Sequence, residues 1–147
     1  MNQELFYKAT SYCCSAEHCI SEVQSKLRQW GAEEGESDEI ISQLVDERYI
    51  DEQRYAVAYT QDKVRFAHWG KKKIVFMLSG KKIKQSDITY ALEQIEAEEY
   101  QQMLSKILTT KKRSLKKLSN EVLRNKLFAF ALSRGFSYDE INQALNL

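Results

Sequence analysis

A single pattern of apolar residues occurs three times along the chain. In the middle copy, Ile74, Leu78, Ile83, Ile88 and Leu92 are separated by 4, 5, 5 and 4 residues. The same spacing recurs 53 residues later and, once three extra loop residues are allowed, 51 residues earlier. The aligned residues are Leu127, Ala131, Phe136, Ile141 and Leu145 in the later copy, and Val23, Leu27, Ala32, Ile40 and Leu44 in the earlier one. This spacing predicts two short amphipathic helices joined by a turn in each copy.

Each copy also begins with a helix of its own. We predict these first helices from Glu4 to Cys14, from Asp51 to Phe66 and from Ala97 to Thr109. The 147 residues contain no proline, which favours uninterrupted helices over a loop-rich β architecture. The sequence therefore predicts an all-α protein of three tandem three-helix repeats, at residues 1–48, 49–96 and 97–147.

The first helix of the middle repeat carries the clearest local signals. Asp51 is placed to cap it, and Arg54 to brace its start through a local charge pair. Tyr55, Tyr59 and Phe66 recur at offsets of four and seven, which predicts one apolar stripe ending near His68-Trp69-Gly70. Tyr49 is assigned to the core with Tyr55 and Tyr59.

The turn between the second and third helices contains a glycine and a serine in every repeat. The glycines are expected to adopt the left-handed conformation at helix C-termini, and the serines to cap the following helix. These residues are Gly31, Gly80 and Gly135, and Ser37, Ser86 and Ser137.

The middle repeat also carries a series of residues in a characteristic order. The series is Tyr49-Ile50-Asp51-Glu52, Arg54-Tyr55-Ala56, Gly70, Lys73-Ile74, Leu78, Gly80 and Ile83. It resembles the RecX family of bacterial recombination regulators, although the aromatic after the arginine is Tyr55 where the family usually has phenylalanine. The resemblance implies an elongated, curved, all-helical molecule that lies in the groove of a RecA filament on DNA.

Several other classes of protein are disfavoured. The longest uncharged stretch has eight residues, from Ala9 to Ala16, whereas a membrane-spanning helix needs roughly 18. Glu4 stands where a secretion signal would carry positive charge, and no apolar segment follows it. We therefore expect no membrane association and a cytoplasmic location.

Three cysteines near His18 suggest either a metal site or ordinary helix residues. Cys13 and Cys14 are adjacent, so they point to different faces of a helix, and no second ligand pair has zinc-site spacing. Free thiols are therefore favoured. His18 and His68 lack a partner at the spacing of a nucleophile and its base, and no phosphate-loop motif occurs. We expect no metal, no cofactor and no enzymatic activity.

Charge is unevenly divided along the chain. Residues 1–62 contain 5 basic and 13 acidic side chains, whereas residues 63–147 contain 17 basic and 8 acidic ones. The basic residues cluster at both ends of the middle repeat's second helix and between the first two helices of the third repeat. The candidate partner- or DNA-binding residues are Lys63, Arg65, Lys71, Lys72, Lys73, Lys81, Lys82, Lys84, Lys111, Lys112, Arg113, Lys116 and Lys117.

These clusters have a functional and an ordinary interpretation. They can contact a polyanion, or they can simply keep helix surfaces solvated. Phe66 and Trp69 stand beside the charges and suit stacking on a base or a partner, whereas Trp69 equally suits the core.

Three functions remain open at this stage. The resemblance implies a non-enzymatic regulator, expected to be monomeric, that binds the RecA–DNA filament and modulates its ATPase and strand exchange, with inhibition as the expected direction and stimulation as the alternative. The lysine clusters alone suit a free-standing nucleic-acid-binding protein. A helical scaffold that recognises only protein is the third. For the first function, we expect the acidic repeat to face basic protein surface and the basic repeats to approach DNA.

Overall fold

The computed structural model describes residues 1–146, and over that range the only regular secondary structure is helical. The first repeat contains α1 (Gln3–Ser15), α2 (Ile20–Gln29) and α3 (Glu34–Asp46). The second contains α4 (Glu52–Asp62), which continues into a π-helical turn (Lys63–Ala67), then α5 (Lys71–Gly80) and α6 (Gln85–Glu93). The third contains α7 (Ala97–Ser114), α8 (Asn120–Ser133) and α9 (Tyr138–Asn146).

The predicted all-α fold class is confirmed. Within residues 1–146, no helix combines the length and the apolar character needed to cross a bilayer. Leu147, the last residue of the third predicted repeat, lies outside the described residues.

The helices form two compact units whose limits differ from those of the predicted repeats. The first unit contains residues 1–58 and 78–90, and the second contains residues 59–77 and the chain from residue 91 onward. The limits fall inside α4, α5 and α6, so the middle repeat contributes to both units. The repeat boundaries at 48 and 96 remain a prediction.

The repeated apolar pattern lies on the inner side of the helices. Of the fifteen aligned residues, twelve are buried, and Ala32, Leu92 and Leu145 are half-buried. In the first unit, Val23 and Leu27 join residues of α1 and α3 in one core cluster. Burying a large aliphatic side chain stabilises the fold by about 1.5–3 kcal/mol, so this pattern supplies much of the driving force for folding.

The turn between the second and third helices has the same hydrogen bonds in every repeat. Its left-handed residue has a φ of 88° at Gly31, 65° at Lys82 and 99° at Gly135. The next backbone N–H donates to the carbonyl five residues earlier, at 2.9, 3.1 and 3.2 Å respectively. This is a Schellman helix end. The prediction for Gly80 is wrong, because α5 includes Gly80 and the left-handed residue is Lys82.

Only one of the three predicted serine caps forms. Ser137 Oγ accepts from the N–H of Glu140 at 3.1 Å, and Glu140 Oε1 accepts from the N–H of Ser137 at 2.8 Å. Ser37 and Ser86 lie inside α3 and α6, so their predicted capping role is wrong. Glu33 precedes α3 instead, and its N–H donates to the side chain three residues later.

The start of α4 agrees with prediction in its cap and differs in its charge pair. Asp51 Oδ1 accepts from the N–H of Arg54 at 3.0 Å. The Arg54 side chain does not pair locally, because its Nε donates to Glu17 Oε2 at 2.6 Å. Tyr55 is buried as predicted, whereas Tyr49 is exposed and its assignment to the core is wrong.

The start of α5 is fixed to the end of α8 inside the second unit. The N–H of Gly70 donates to the carbonyl of Arg134 at 2.7 Å, and that of Lys72 to the carbonyl of Gly135 at 3.0 Å. A Cβ atom on Gly70 would lie 2.4 Å from the Gly135 carbonyl carbon, and one on Gly135 would lie 2.4 Å from Lys73 Cβ. Both positions therefore require glycine.

A related contact occurs once in each compact unit. In the first, the N–H of Ile20, which begins α2, donates to Glu52 Oε2 at 3.0 Å. In the second, the N–H of Lys71, which begins α5, donates to Tyr100 Oη at 3.0 Å. Ile20 and Lys71 are 51 residues apart and occupy the same position in the aligned repeats. In both units, the N-terminus of one repeat's second helix is thus hydrogen-bonded to a side chain near the start of the next repeat's first helix.

Replacing Gly135 by alanine should lower the free energy of unfolding by about 2–4 kcal/mol, because the new methyl group collides with Lys73 and the left-handed backbone adds strain. Gly80→Ala is the matched control, since a Cβ there meets no atom within 4 Å. It should leave stability unchanged or raise it by up to about 1 kcal/mol. Urea unfolding followed by circular dichroism measures both variants, and equal stabilities would contradict the close approach.

Lys82→Gly should raise the free energy of unfolding by about 1 kcal/mol, because glycine relieves the left-handed conformation. The same substitution at Lys126, an exposed lysine inside α8, should lower it by about 1 kcal/mol. Both substitutions remove one exposed lysine, so charge is matched. Thermal unfolding distinguishes them, and a destabilised Lys82→Gly variant would contradict the assigned turn.

Candidate basic interaction surfaces

Trp69 lies within a cluster of cations and aromatic rings in the second compact unit. The ammonium groups of Lys63 and Lys73 lie 5.0 and 4.5 Å from the centre of its ring. The ring of Tyr59 meets it edge-on, with the centroids 6.3 Å apart. Trp69 is half-buried, so the structure supports a packing role for it. The ammonium groups of Lys63 and Lys73 are therefore occupied by cation–π contacts within the protein.

Two further predicted cations cover aromatic rings. Lys71 Nζ lies 4.8 Å from the centre of the Tyr100 ring, and Lys111 Nζ lies 5.3 Å from that of Phe130. Burial raises the pKa of Tyr100 above its ordinary value of 10.0. The Tyr100 hydroxyl therefore stays neutral and remains a stable acceptor for the N–H of Lys71.

Lys81 forms an ion pair in the first compact unit. Its Nζ lies 3.2 Å from Glu22 Oε2, and His18 Nδ1 lies 3.1 Å from the other carboxylate oxygen. Burial acts to raise the pKa of Glu22, but hydrogen bonds from His18, the Cys19 backbone and Lys81 outweigh it, and the pKa is lowered. Lys81 therefore stabilises the first unit and is a poor candidate for binding a partner.

Apart from Arg65, which pairs with Glu99, seven of the predicted cations extend into solvent. None of them forms an ion pair with another of the described residues. They are Lys72, Lys82, Lys84, Lys112, Arg113, Lys116 and Lys117. Lys82 and Lys84 belong to the first compact unit and the other five to the second. The single positive rim predicted around α5 is therefore distributed over two units.

The second predicted cluster differs in its secondary structure. The sequence predicts Lys111, Lys112 and Arg113 in a connection after a helix ending at Thr109, but α7 continues to Ser114. These three residues form its last turn, where positive charge is favoured by the helix dipole. Lys116 and Lys117 alone lie in the connection to α8.

The two compact units have opposite charge. The first contains 8 basic and 13 acidic side chains, and the second contains 14 basic and 8 acidic ones. The second unit also exposes three large aromatic side chains, Phe66 at 77%, Phe76 at 76% and Tyr138 at 62%. The sequence predicts Phe66 on the inner stripe with Tyr55, and that placement is wrong. Phe76 was not singled out, although its position outside the repeated spacing is a signal of exposure.

The cysteines and histidines form no recognisable metal centre in the part of the chain that the structure describes. Cys13, Cys14 and Cys19 are free thiols. Burial and neighbouring acidic groups raise the pKa of Cys13 to about 11, so its thiol stays protonated and unreactive near neutral pH.

The fold and its surfaces define a protein of successive three-helix domains with an acidic and a basic compact unit. The descriptions "RecX, second three-helix domain" and "RecX, third three-helix domain" match residues 51–92 and 98–145 respectively. Together these two matches span more than half of the chain. This protein therefore belongs to the RecX family.

Named relatives and solved structures agree with this assignment. Regulatory protein RecX of Bacillus cytotoxicus is 29% identical over 97% of this chain and 53% of its own length. The protein of that name from Clostridium perfringens strain SM101 is 30% identical over 82% of this chain and 57% of its own. The crystal structure of RecX from Lactobacillus salivarius has a TM-score of 0.88 at 25% identity, covering 98% of this chain and 94% of that one. The chain spans about half the length of the curated relatives that it matches.

The lowered pKa of Glu22 makes a prediction about acid stability. A carboxylate whose folded-state pKa lies below its ordinary value of 4.5 stabilises the protein above that value, and this contribution is lost as pH falls through the folded-state pKa. Glu22→Gln should therefore be less stable than wild type by about 1 kcal/mol near neutral pH. It should also lose less stability on acidification, as urea unfolding at a series of pH values would show.

Glu52→Gln is the control with the opposite sign. Burial raises the pKa of Glu52, so the folded state binds its proton more tightly, and the Glu52 contribution falls as pH rises through this pKa. Glu52→Gln should therefore lose less stability than wild type as pH rises through this pKa. Identical pH profiles for the two variants would contradict both assignments.

Proposed function

We propose that this protein is a non-enzymatic regulator that binds the RecA–DNA filament and inhibits its ATPase and strand-exchange activities in recombination and DNA repair. The observation that carries the proposal is the match to two successive RecX domains, and the relatives' name, regulatory protein RecX, agrees with it. In this proposal the protein acts in the cytoplasm as a monomer, and the repeats at residues 1–48, 49–96 and 97–147 are its recognition modules.

The charges of the two units suggest how the contacts are divided. The second compact unit has an excess of basic side chains, five of which are predicted site residues that extend into solvent. Phosphate contacts by such residues release counterions and favour binding to a nucleic acid. The acidic first unit is suited to basic protein surface. The DNA of the filament is therefore assigned to the second unit and the recombinase protein to the first.

A second candidate function is a free-standing nucleic-acid-binding protein that needs no recombinase. The exposed lysines of the second unit favour it, since a positive surface with exposed aromatic rings also suits naked single strands. The two functions predict different relative affinities for the filament and for naked DNA. A RecA regulator binds the filament more tightly than either DNA or RecA alone, whereas the alternative binds naked DNA equally well.

Titration of the protein into a DNA-stimulated RecA ATPase assay tests the first function directly. We expect ATP hydrolysis to fall as the protein is added, with a midpoint that moves to higher concentration as salt is raised. Unchanged hydrolysis at saturating protein would contradict the proposal. Tight, salt-sensitive binding to naked single-stranded DNA in that case would favour the alternative.

The DNA contacts are tested by neutralising the five exposed cations of the second unit. The variant carries glutamine at Lys72, Lys112, Arg113, Lys116 and Lys117. Its affinity for the filament should fall, and the slope of log affinity against log salt should shrink by about 0.7–0.9 for every phosphate contact removed. These side chains extend into solvent, so the fold should be retained.

The matched control neutralises exposed acidic residues of the first unit, as in Glu34→Gln with Asp38→Asn. Both lie on α3 and are exposed. With naked single-stranded DNA, where no recombinase surface is present, the control should keep the wild-type salt slope because it removes no cation, whereas the five-site variant should show a smaller one. A five-site variant with wild-type affinity and slope would contradict the assignment of DNA to the second unit.

A further inference from the structure

A cavity of the second compact unit lies beside the π-helical turn and is separate from the seven exposed cations. Its volume is about 260 Å³. The lining residues are Val64, Arg65, His68, Glu99, Gln102, Met103 and Lys106. Arg65 is a predicted site residue, but His68 and Lys106 are not. The cavity thus combines three basic side chains, which come from the π-helical turn, from the residue that ends it and from α7.

His68 has an unusual conformation and an unsatisfied ring nitrogen. It ends the π-helical turn with a φ of 56°, a conformation uncommon for residues other than glycine. Its Nδ1 is buried and has no hydrogen-bond partner among the described residues. A buried acceptor without a partner is tolerated better than a buried N–H without one. The tautomer that leaves no buried N–H unpaired carries its proton on Nε2, which makes Nε2 a donor.

One ion pair orients the Arg65 side chain and leaves other N–H donors of its guanidinium group available. Its Nε donates to Glu99 Oε1 at 3.1 Å, and the two side chains are 53% and 43% exposed. Within residues 1–146, its two Nη groups have no hydrogen-bond partner. A guanidinium fork oriented by one carboxylate can still bind a tetrahedral oxyanion through these groups.

Lys106, on α7, supplies the third basic side chain of the cavity. It is exposed and lies seven residues after Glu99, so the two occupy one face of that helix. Glu99 neutralises one of the two permanent cations, which leaves the cavity with a modest excess of positive charge. Such a site suits one small anion.

We propose that this cavity binds a phosphate group through the Arg65 Nη atoms, His68 Nε2 and Lys106 Nζ. Phe66 stands beside Arg65 and is 77% exposed, so an unpaired base next to the bound phosphate could stack on its ring. The site itself rests on the residues that line this cavity in the second unit. That its phosphate belongs to nucleic acid and not to a free anion rests on the proposed function.

Titration of the full chain with inorganic phosphate tests the site without any recombinase or DNA. Proton–nitrogen NMR spectra follow the imidazole signals of His68, with sodium chloride at equal ionic strength as the salt control. We expect saturable shifts with phosphate and none with chloride. His68 signals that do not respond to phosphate would overturn the proposal.

Lys106→Gln should weaken phosphate binding about tenfold, as expected for the loss of one charge-assisted hydrogen bond. Lys126→Gln is the matched control, since Lys126 is an exposed lysine of the same compact unit outside the cavity lining. Equal affinities of these two variants for phosphate would also overturn the proposal.

The source of the phosphate is tested with a short single-stranded oligonucleotide. Phe66→Ala should weaken oligonucleotide binding about tenfold and leave inorganic phosphate binding unchanged. Equal oligonucleotide affinities of wild type and Phe66→Ala would overturn the nucleic-acid source. Loss of RecA ATPase inhibition is scored separately, so failure of the proposed function is distinguishable from failure of the site.

Discussion

The backbone contact between the start of α5 and the end of α8 determines how the second compact unit is organised. Three consecutive lysines at the positive end of a helix are electrostatically unfavourable. Here the N–H groups of Gly70 and Lys72 donate to the carbonyls of Arg134 and Gly135, so the positive end of one helix meets the negative end of another. Two of the lysine heads are placed over aromatic rings and only Lys72 is exposed. The start of α5 therefore has a structural role, and of its three lysines only Lys72 is left to contact an external anion.

The parts of the fold that depend on spacing along the chain were predictable from the sequence. The fifteen aligned apolar residues are buried or half-buried, because helical periodicity determines which side chains share a face. The cap by Asp51 was likewise predictable, since a cap needs only neighbouring residues. The left-handed Lys82 was not, because glycine is the residue that favours this conformation and Gly80 stood only two positions away. Its place in the repeat alignment with Gly31 and Gly135 is the signal that could have located it.

The candidate site was predictable as a charge distribution but not as a set of available side chains. Whether a lysine reaches solvent depends on residues far away in sequence. Lys81 pairs with Glu22, 59 residues earlier, and Lys71 covers the ring of Tyr100, 29 residues later. Neither contact leaves a trace in the local composition. Of the thirteen predicted cations, the seven without such contacts and the Nη groups of Arg65 remain suited to a partner.

The π-helical turn explains the largest difference between the predicted and observed surfaces. In a regular helix, offsets of four and seven place Phe66 on the face of Tyr55 and Tyr59. A π-helical turn contains an extra residue relative to α-helical bonding, which rotates the following side chains. Val64 becomes the buried residue at 4% exposure, and Phe66 is 77% exposed. The π-helical turn ends at His68 in the left-handed conformation, and π-helical segments and such local backbone strain are frequent at functional sites. Sequence periodicity cannot predict this π-helical turn. The turn exposes Phe66 beside the cavity, and this distinguishes the face of the second unit from a merely solvated one.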